Sequence, residues 1–453
     1  MIERLAVAHA DAASIAAHVR GYLPASASVA DRVAGIVESV REGGDHALLE
    51  HERRFGGADA QPARRQPMTS PGRSGEPAGA GKGRSESGGT RPAQSPLRVP
   101  ADDLRGALEA LDPAIRAGLE VARANVRQVA EAGLAEDRDV ELPQGQRIRL
   151  RELPVARAAV YAPGGRQPYP SSVIMGAVTA RAAGVPEVVV AAPAHPVILA
   201  ACALCGADEV YRMGGAQAIA ALAYGTETIR PADVIVGPGN LYVQEAKRQL
   251  SGLVGIDGFA GPSDLLVLAS AGADPRLIAL DLLAQAEHGA DSLVVAISDD
   301  AALLDAVGRD VQALYRARTT VAAGPKVLVD APDLDAALAF SDALAPEHLQ
   351  LMGTTAEALA PRVRRAGCLF VGAASATAFG DYVAGSNHTL PTDGAARFAS
   401  GLTVAHFRRR MAEVRVGAAA DALARAGIPI AEAEGFAVHA ESMSARIREN
   451  RTA

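Results

Sequence analysis

The run Arg157-Ala158-Ala159-Val160-Tyr161-Ala162-Pro163-Gly164-Gly165, with the apolar segment Ser171 to Ala183 behind it, sets the grammar of this chain. Arg157 to Tyr161 reads as a strand, Pro-Gly-Gly stops it, and the segment beyond has helix length. The pattern repeats downstream. Val188-Val189-Val190-Ala191-Ala192 is a strand and Pro196 to Cys205 a helix; Glu209-Val210-Tyr211-Arg212 leads through Gly214-Gly215-Ala216-Gln217 into a helix ending at Tyr224. Asp233-Val234-Ile235-Val236 then leads through Gly237-Pro238-Gly239-Asn240 into a helix over Leu241 to Leu250. Strand, glycine turn and helix in succession predict a parallel sheet covered on both faces, with ligands beyond the strand carboxyl ends.

A second cycle opens at Leu265-Leu266-Val267-Leu268-Ala269. It continues through a helix from about Arg276 to His288, the strand Ser292 to Ile297, a helix over Ala301 to Tyr315, and the strand Val327-Leu328-Val329. After a helix to about Leu344, His348-Leu349-Gln350-Leu351 and Cys368 to Gly372 read as further strands. The expected fold is therefore α/β: two Rossmann-like, incomplete, doubly wound parallel-sheet domains at 140–255 and 256–396, the first binding the nucleotide and the second carrying the chemistry. Apolar residues at helical spacing (Val29, Val33, Ile36, Val37, Val40) predict a helical segment over 1–59. Residues 60–96 are Gly, Pro, Ser, Arg and Gln with almost no aliphatic side chain, so a disordered basic insertion is expected there. Helix resumes over 97–139, with Asp102 as a candidate cap. The tail at 397–453 reads as helical and too short for a core of its own, so it should dock on another domain or subunit.

Composition limits what the chain can do. It has 453 residues, 49% of them hydrophobic, with a net charge of −7, which suits a globular protein and suggests neither a nucleic-acid nor a membrane partner. No apolar run is long enough to cross a bilayer, and charges interrupt the N-terminal stretch that a signal core would need; a cytoplasmic protein is expected. Three cysteines cannot make a disulfide framework, and Cys202 and Cys205 read as two small buried thiols.

Polar clusters sit at turns of this frame. In Gln285-Ala286-Glu287-His288-Gly289 a helical reading puts Gln285 and His288 on one face. Imidazole is a common zinc ligand and a glutamine amide a weak one, so the pair could not hold a metal without partners; alternatively it caps the last helical carbonyls. Adjacent Glu347 and His348 offer a base for an alcohol proton beside a carboxylate that could activate water. Ser263, Asp381, His388, Glu434 and His439 occupy further loop or tail positions. Gly237-Pro238-Gly239-Asn240 opens a helix after a strand, yet Tyr242 replaces the third glycine of a dinucleotide fingerprint, so an ordinary tight turn is equally admissible.

The phrases Tyr161-Ala-Pro-Gly-Gly165, Gly214 to Thr226, Gly237 to Asn240, Ala260 to Ser263, Gln285 to Gly289, Ala345-Pro-Glu-His-Leu349, Gly380-Asp-Tyr382 and Gly385 to Thr392 together resemble the histidinol dehydrogenase family, in order, over about residues 1–56 and 97–450. The resemblance implies a zinc- and NAD-dependent oxidation of L-histidinol through L-histidinaldehyde to L-histidine, the last steps of histidine biosynthesis. It implies one zinc per subunit on Gln285, His288, Asp381 and His439, the last reaching across a homodimer. His348 would be the base for the alcohol and Glu347 the activator of water. Ser263, His388 and Glu434 would contact substrate along with His348 and the metal ligands, while Tyr161, Gln217 and Asn240 would contact NAD. Two other readings stay open at this point: a related zinc and NAD dehydrogenase acting on another small polar alcohol, and an inactive protein that kept the scaffold.

Overall fold

A computed structural model of the chain describes residues 2–23, 29–55, 95–164, 167–258 and 261–447. The expected insertion at 60–96 lies outside them except for its last two residues. In chain order the strands are β1 (Ile2–Ala6), β2 (Arg138–Glu141), β3 (Arg147–Pro154), β4 (Arg157–Tyr161), β5 (Glu187–Ala191), β6 (Glu209–Tyr211), β7 (Val234–Val236), β8 (Gly255–Ile256), β9 (Asp264–Ala269), β10 (Leu293–Ser298), β11 (Lys326–Asp330), β12 (His348–Met352), β13 (Cys368–Val371) and β14 (Arg408–Arg415).

Two sheets are wholly parallel. The first runs β6-β5-β4-β7-β8 and the second β1-β11-β10-β9-β12-β13, so each is built outward in one direction and then reverses, between β4 and β7 and between β9 and β12. Helices cover both faces of the central strands, so residues of either parity there are mostly apolar. Ala158 and Val160 of β4 pack with Val173, Ile174 and Ala177 of the helix Pro170–Ala182. Ala159 and Tyr161 point the other way, onto Ile219 and Leu222 of Gly215–Tyr224 and Val33 of Ala30–Phe55. In β9, Leu266 and Leu268 face the helices Ala12–Arg20 and Leu334–Leu344, while Leu265 and Val267 face Pro275–Ala286 and Ala301–Arg316. No helix among the described residues is long and apolar enough to cross a membrane.

Several expectations need correction. The N-terminal segment is not wholly helical: Ile2–Ala6 is a strand on the edge of the second sheet, because pairing with β11 outweighs the weak local preference of Ile-Glu-Arg-Leu-Ala. A third sheet, antiparallel β14-β3-β2, takes residues 138–154 and part of the tail expected to be helical. Its alternation is written in charge rather than in hydrophobicity, with Arg410 opposite Glu152 and Arg151 beside Glu413. Asp102 caps nothing and pairs with Arg105; the cap belongs to Asp112, whose carboxylate accepts the Ala114 N–H at 2.8 Å where Pro113 starts a separate helix. The tail ends in helices Ala420–Ala433 and Ala437–Ser444, which pack on each other.

Candidate active site

The second sheet contributes from the amino ends of its strands, not the carboxyl ends expected above. Asp264 begins β9 and His348 begins the neighbouring β12, in a register that pairs His348 with Leu265. The helix Leu334–Leu344 stops at Ala345, held in the left-handed region at φ 48°, and Pro346 then carries the chain into the sheet. This turn delivers Glu347 to a fully enclosed position, where it and Asp264 are latched reciprocally. The Glu347 N–H donates to Asp264 Oδ1 at 2.8 Å, and the Asp264 N–H donates to Glu347 Oε2 at 3.0 Å. The Ser263 hydroxyl also donates to Oε2, and the Gln285 amide donates to Ser263. Burial, then the charge of Asp264, pushes the Glu347 carboxyl up to about 8, with the hydrogen bonds and His288 opposing.

The imidazoles are oriented by carbonyls, which can only accept. His348 Nδ1–H donates to the Asp264 carbonyl at 3.2 Å, which in the neutral ring puts the lone pair on Nε2, 3.9 Å from Asp381 Oδ1. His288 Nδ1–H donates to the Gln285 carbonyl at 3.1 Å, just beyond the helix Pro275–Ala286. His288 therefore caps the helix end through Nδ1, the alternative reading of Gln285-x-x-His288 given above. Gln285 is buried behind Ser263 and does not cap. Among the described residues His388 Nε2 is buried without a hydrogen-bond partner, and burial holds this imidazole below its usual range.

These groups share one cavity of about 400 Å³, lined by Ser263, His288, Glu347, His348, Asp381 and His388 together with Tyr161 and Asn240 of the first sheet. Glu434 and His439 are not brought to it; both are exposed on the tail. Among the described residues no three His, Cys, Asp or Glu side chains form a metal-binding group. The donors present nevertheless suit a borderline divalent ion: an imidazole fixed through its other ring nitrogen by a carbonyl is the usual setting of a metal ligand, with a carboxylate on the same wall.

A cavity of about 820 Å³ at the carboxyl end of the first sheet shares Tyr161, Gly164 and Asn240 with the first one and adds Gly214, Gly215 and Gln217. Its turns are tightly held. Tyr161 Oη accepts the Gly215 N–H at 3.1 Å; Gly237, at φ 122°, approaches the Tyr161 carbonyl so closely that a Cβ would lie 2.1 Å from it. The buried Lys247 and Asp257 clamp Gly237 through its carbonyl and its N–H, at 3.0 and 2.7 Å. Asn240 Oδ1 is spent as a helix cap on Tyr242 and Val243, which leaves its amide N–H₂ for a ligand.

One residue here was missed from sequence. Glu52, on Ala30–Phe55, accepts the Gly214 N–H at 3.0 Å and the Gln217 amide at 2.9 Å. Burial raises its carboxyl above the ordinary range while the two hydrogen bonds lower it. A charged residue four positions after buried Leu48, on the apolar face of its helix, was the available signal. Cys202 and Cys205 are buried as expected, and burial pushes the Cys205 thiol up to about 12.

Two parallel sheets, a cleft of glycine turns at the reversal of one, and an enclosed carboxyl–imidazole pair at the other define an α/β oxidoreductase. The family profile described as histidinol dehydrogenase matches residues 87–447. Histidinol dehydrogenase of Rhizobium meliloti (strain 1021) is 40% identical over 429 residues, covering 92% of this chain and 91% of that protein. The Rhodospirillum rubrum protein of the same name is 40% identical over 464 residues, covering 98% of each. The crystal structure of histidinol dehydrogenase from Elizabethkingia anophelis superposes with a TM-score of 0.80 at 29% identity over 92% of each chain. The chain belongs to the histidinol dehydrogenase family.

Proposed function

We propose that this chain oxidises L-histidinol to L-histidine in two NAD-dependent steps through the aldehyde, in the cytoplasm, as a homodimer. The observation that carries the reading is the shared cavity: His348 and Glu347 line the same space as Tyr161 and Asn240 of the glycine-turn cleft. When bound, NAD supplies the hydride acceptor and zinc an anchor for the substrate's imidazole and alcohol. Gln285, His288 and Asp381 would hold that zinc with His439 of the partner subunit. Tyr161, Gln217 and Asn240 would hold NAD. Ser263, His388 and Glu434 would hold substrate along with His348 and the zinc ligands.

His348 Nε2 takes the alcohol proton in the first oxidation, its Nδ1–H fixed on the Asp264 carbonyl so that one tautomer is available. Glu347 takes a proton from the water that adds to the aldehyde. A carboxyl near 8 is poised for that task, since it is basic enough to accept a proton once ionised and enclosed enough to stay close to the reacting carbon. Ser263 keeps Glu347 Oε2 in place. The dimer reading draws on the tail, where Phe436 and Val438 are 52% and 74% exposed beside His439.

The test is NADH formation by the purified chain with L-histidinol, with metal content measured before and after chelation. Turnover that falls on chelation and returns with zinc supports the reading. Undiminished turnover by metal-stripped protein excludes the zinc assignment, and no turnover by zinc-loaded protein excludes the activity.

A further inference from the structure

The pair Glu347–His348 is held by Asp264, and Asp264 is held in turn by a residue from a distant part of the chain. Arg20 ends the helix Ala12–Arg20, which packs on the outside of Leu334–Leu344. Its Nη1 donates to Asp264 Oδ2 at 2.6 Å, and its Nη2 donates to the carbonyl of Leu344, the residue before the Ala345 turn that leads into Glu347. One guanidinium thus ties the first residue of β9 to the end of the helix that delivers the pair. Asp264 is 1% exposed, and among the described residues its ion-pair contact comes from Arg20.

Three of the contacts that orient the pair pass through Asp264. Its Oδ1 takes the Glu347 N–H, its N–H reaches Glu347 Oε2, and its carbonyl fixes the His348 tautomer. A buried carboxylate stays in such an arrangement only with its charge compensated. Take the guanidinium away and Asp264 must admit water or move, and either response disturbs the three contacts at once.

We infer that Arg20 and Asp264 are positioning residues for both oxidations: Arg20 fixes Asp264, and Asp264 sets the direction of the Glu347 carboxyl and the His348 ring together. The inference rests on the histidinol oxidation proposed above. It differs from the role of either member of the pair, because losing Arg20 should slow both half-reactions alike.

The experiment compares wild type, Arg20→Met, Arg20→Lys, Asp264→Asn and the Arg20→Met/Asp264→Asn double variant as zinc-loaded proteins. Histidinol and supplied histidinaldehyde serve as alternative substrates. Arg20→Met is expected to lower kcat about 30-fold on both substrates while KM for each substrate and for NAD stays within about twofold. Arg20→Lys should recover most of the loss, and the double variant should be impaired less than the product of the two single losses, because removing the carboxylate relieves the charge that Arg20 compensates. A folded Arg20→Met protein with kcat within about twofold of wild type, a loss confined to one half-reaction, or single losses that simply multiply would overturn the inference. If Arg20→Met does not accumulate as folded protein, Arg20→Lys and the double variant decide: a double variant about as active as Asp264→Asn supports it, and one far less active overturns it. Wild type separates the two levels of argument, since its failure to oxidise histidinol sinks the functional reading, whereas its activity beside an unimpaired Arg20→Met sinks this inference alone.

Discussion

Replacing Glu52 by Ala tests whether the first-sheet cavity is the NAD site. The Glu52 carboxylate accepts the Gly214 N–H at 3.0 Å and the Gln217 amide at 2.9 Å, so truncation strands two donors, one half-buried and one buried. Each costs about 1–2 kcal/mol, and the relief of desolvating the carboxylate offsets part, leaving roughly 2 kcal/mol. Gly214 and Gln217 both line the cavity, so much of that should appear as weaker cofactor binding. Initial rates at saturating histidinol should show KM for NAD raised about 10-fold, with kcat within about twofold. Glu52→Gln should lose less, since an amide oxygen still accepts one of the two bonds. A lowered urea midpoint with an unaltered KM for NAD would refute the reasoning, because Glu52 would then merely prop its helix against the sheet.

Three more outcomes are expected. Replacing His348 with Asn should slow oxidation of histidinol more than oxidation of supplied aldehyde, and Glu347→Gln should do the reverse; equal effects in steady-state assays would contradict the division of labour. Mixed His288→Ala and His439→Ala chains should regain activity that neither homodimer has, and no recovery would argue for a site drawn from one chain. The folded-state carboxyl of Glu347 is raised to about 8 from 4.5, so its contribution to stability is complete below the unfolded value and is lost as pH rises through about 8. Urea unfolding of metal-free protein should therefore show wild type weakening relative to Glu347→Gln across that window, and parallel pH profiles would count against the buried carboxyl.

Much of the fold was legible because both parallel sheets are buried on two faces, which writes β4, β9 and β10 as largely apolar runs. The motif residues were legible as a set through the family resemblance, and the structure gathers Ser263, His288, Glu347, His348, Asp381 and His388 around one cavity. Their position at strand amino ends was written in the order of the chain, since Ser263 and Glu347 directly precede β9 and β12, but the general rule that ligands lie beyond strand carboxyl ends pointed the other way. The antiparallel sheet was hidden by its charged alternation, as in Arg408 to Arg415, which periodicity of hydrophobic residues cannot detect. Arg20 and Glu52 escaped notice for a different reason. Each meets its partner across a long separation in sequence, 244 residues from Arg20 to Asp264 and 165 from Glu52 to Gln217, and only tertiary packing brings them together.

On the proposed function, one enclosed site performs both oxidations with Glu347 and His348 in separate roles. The stoichiometry of NADH formed from limiting histidinol, read by absorbance in the presence of an aldehyde trap, tests this most directly. Two NADH per histidinol, with histidine as product and no trapped aldehyde, is the predicted result; one NADH per histidinol with aldehyde captured in equal amount would contradict it.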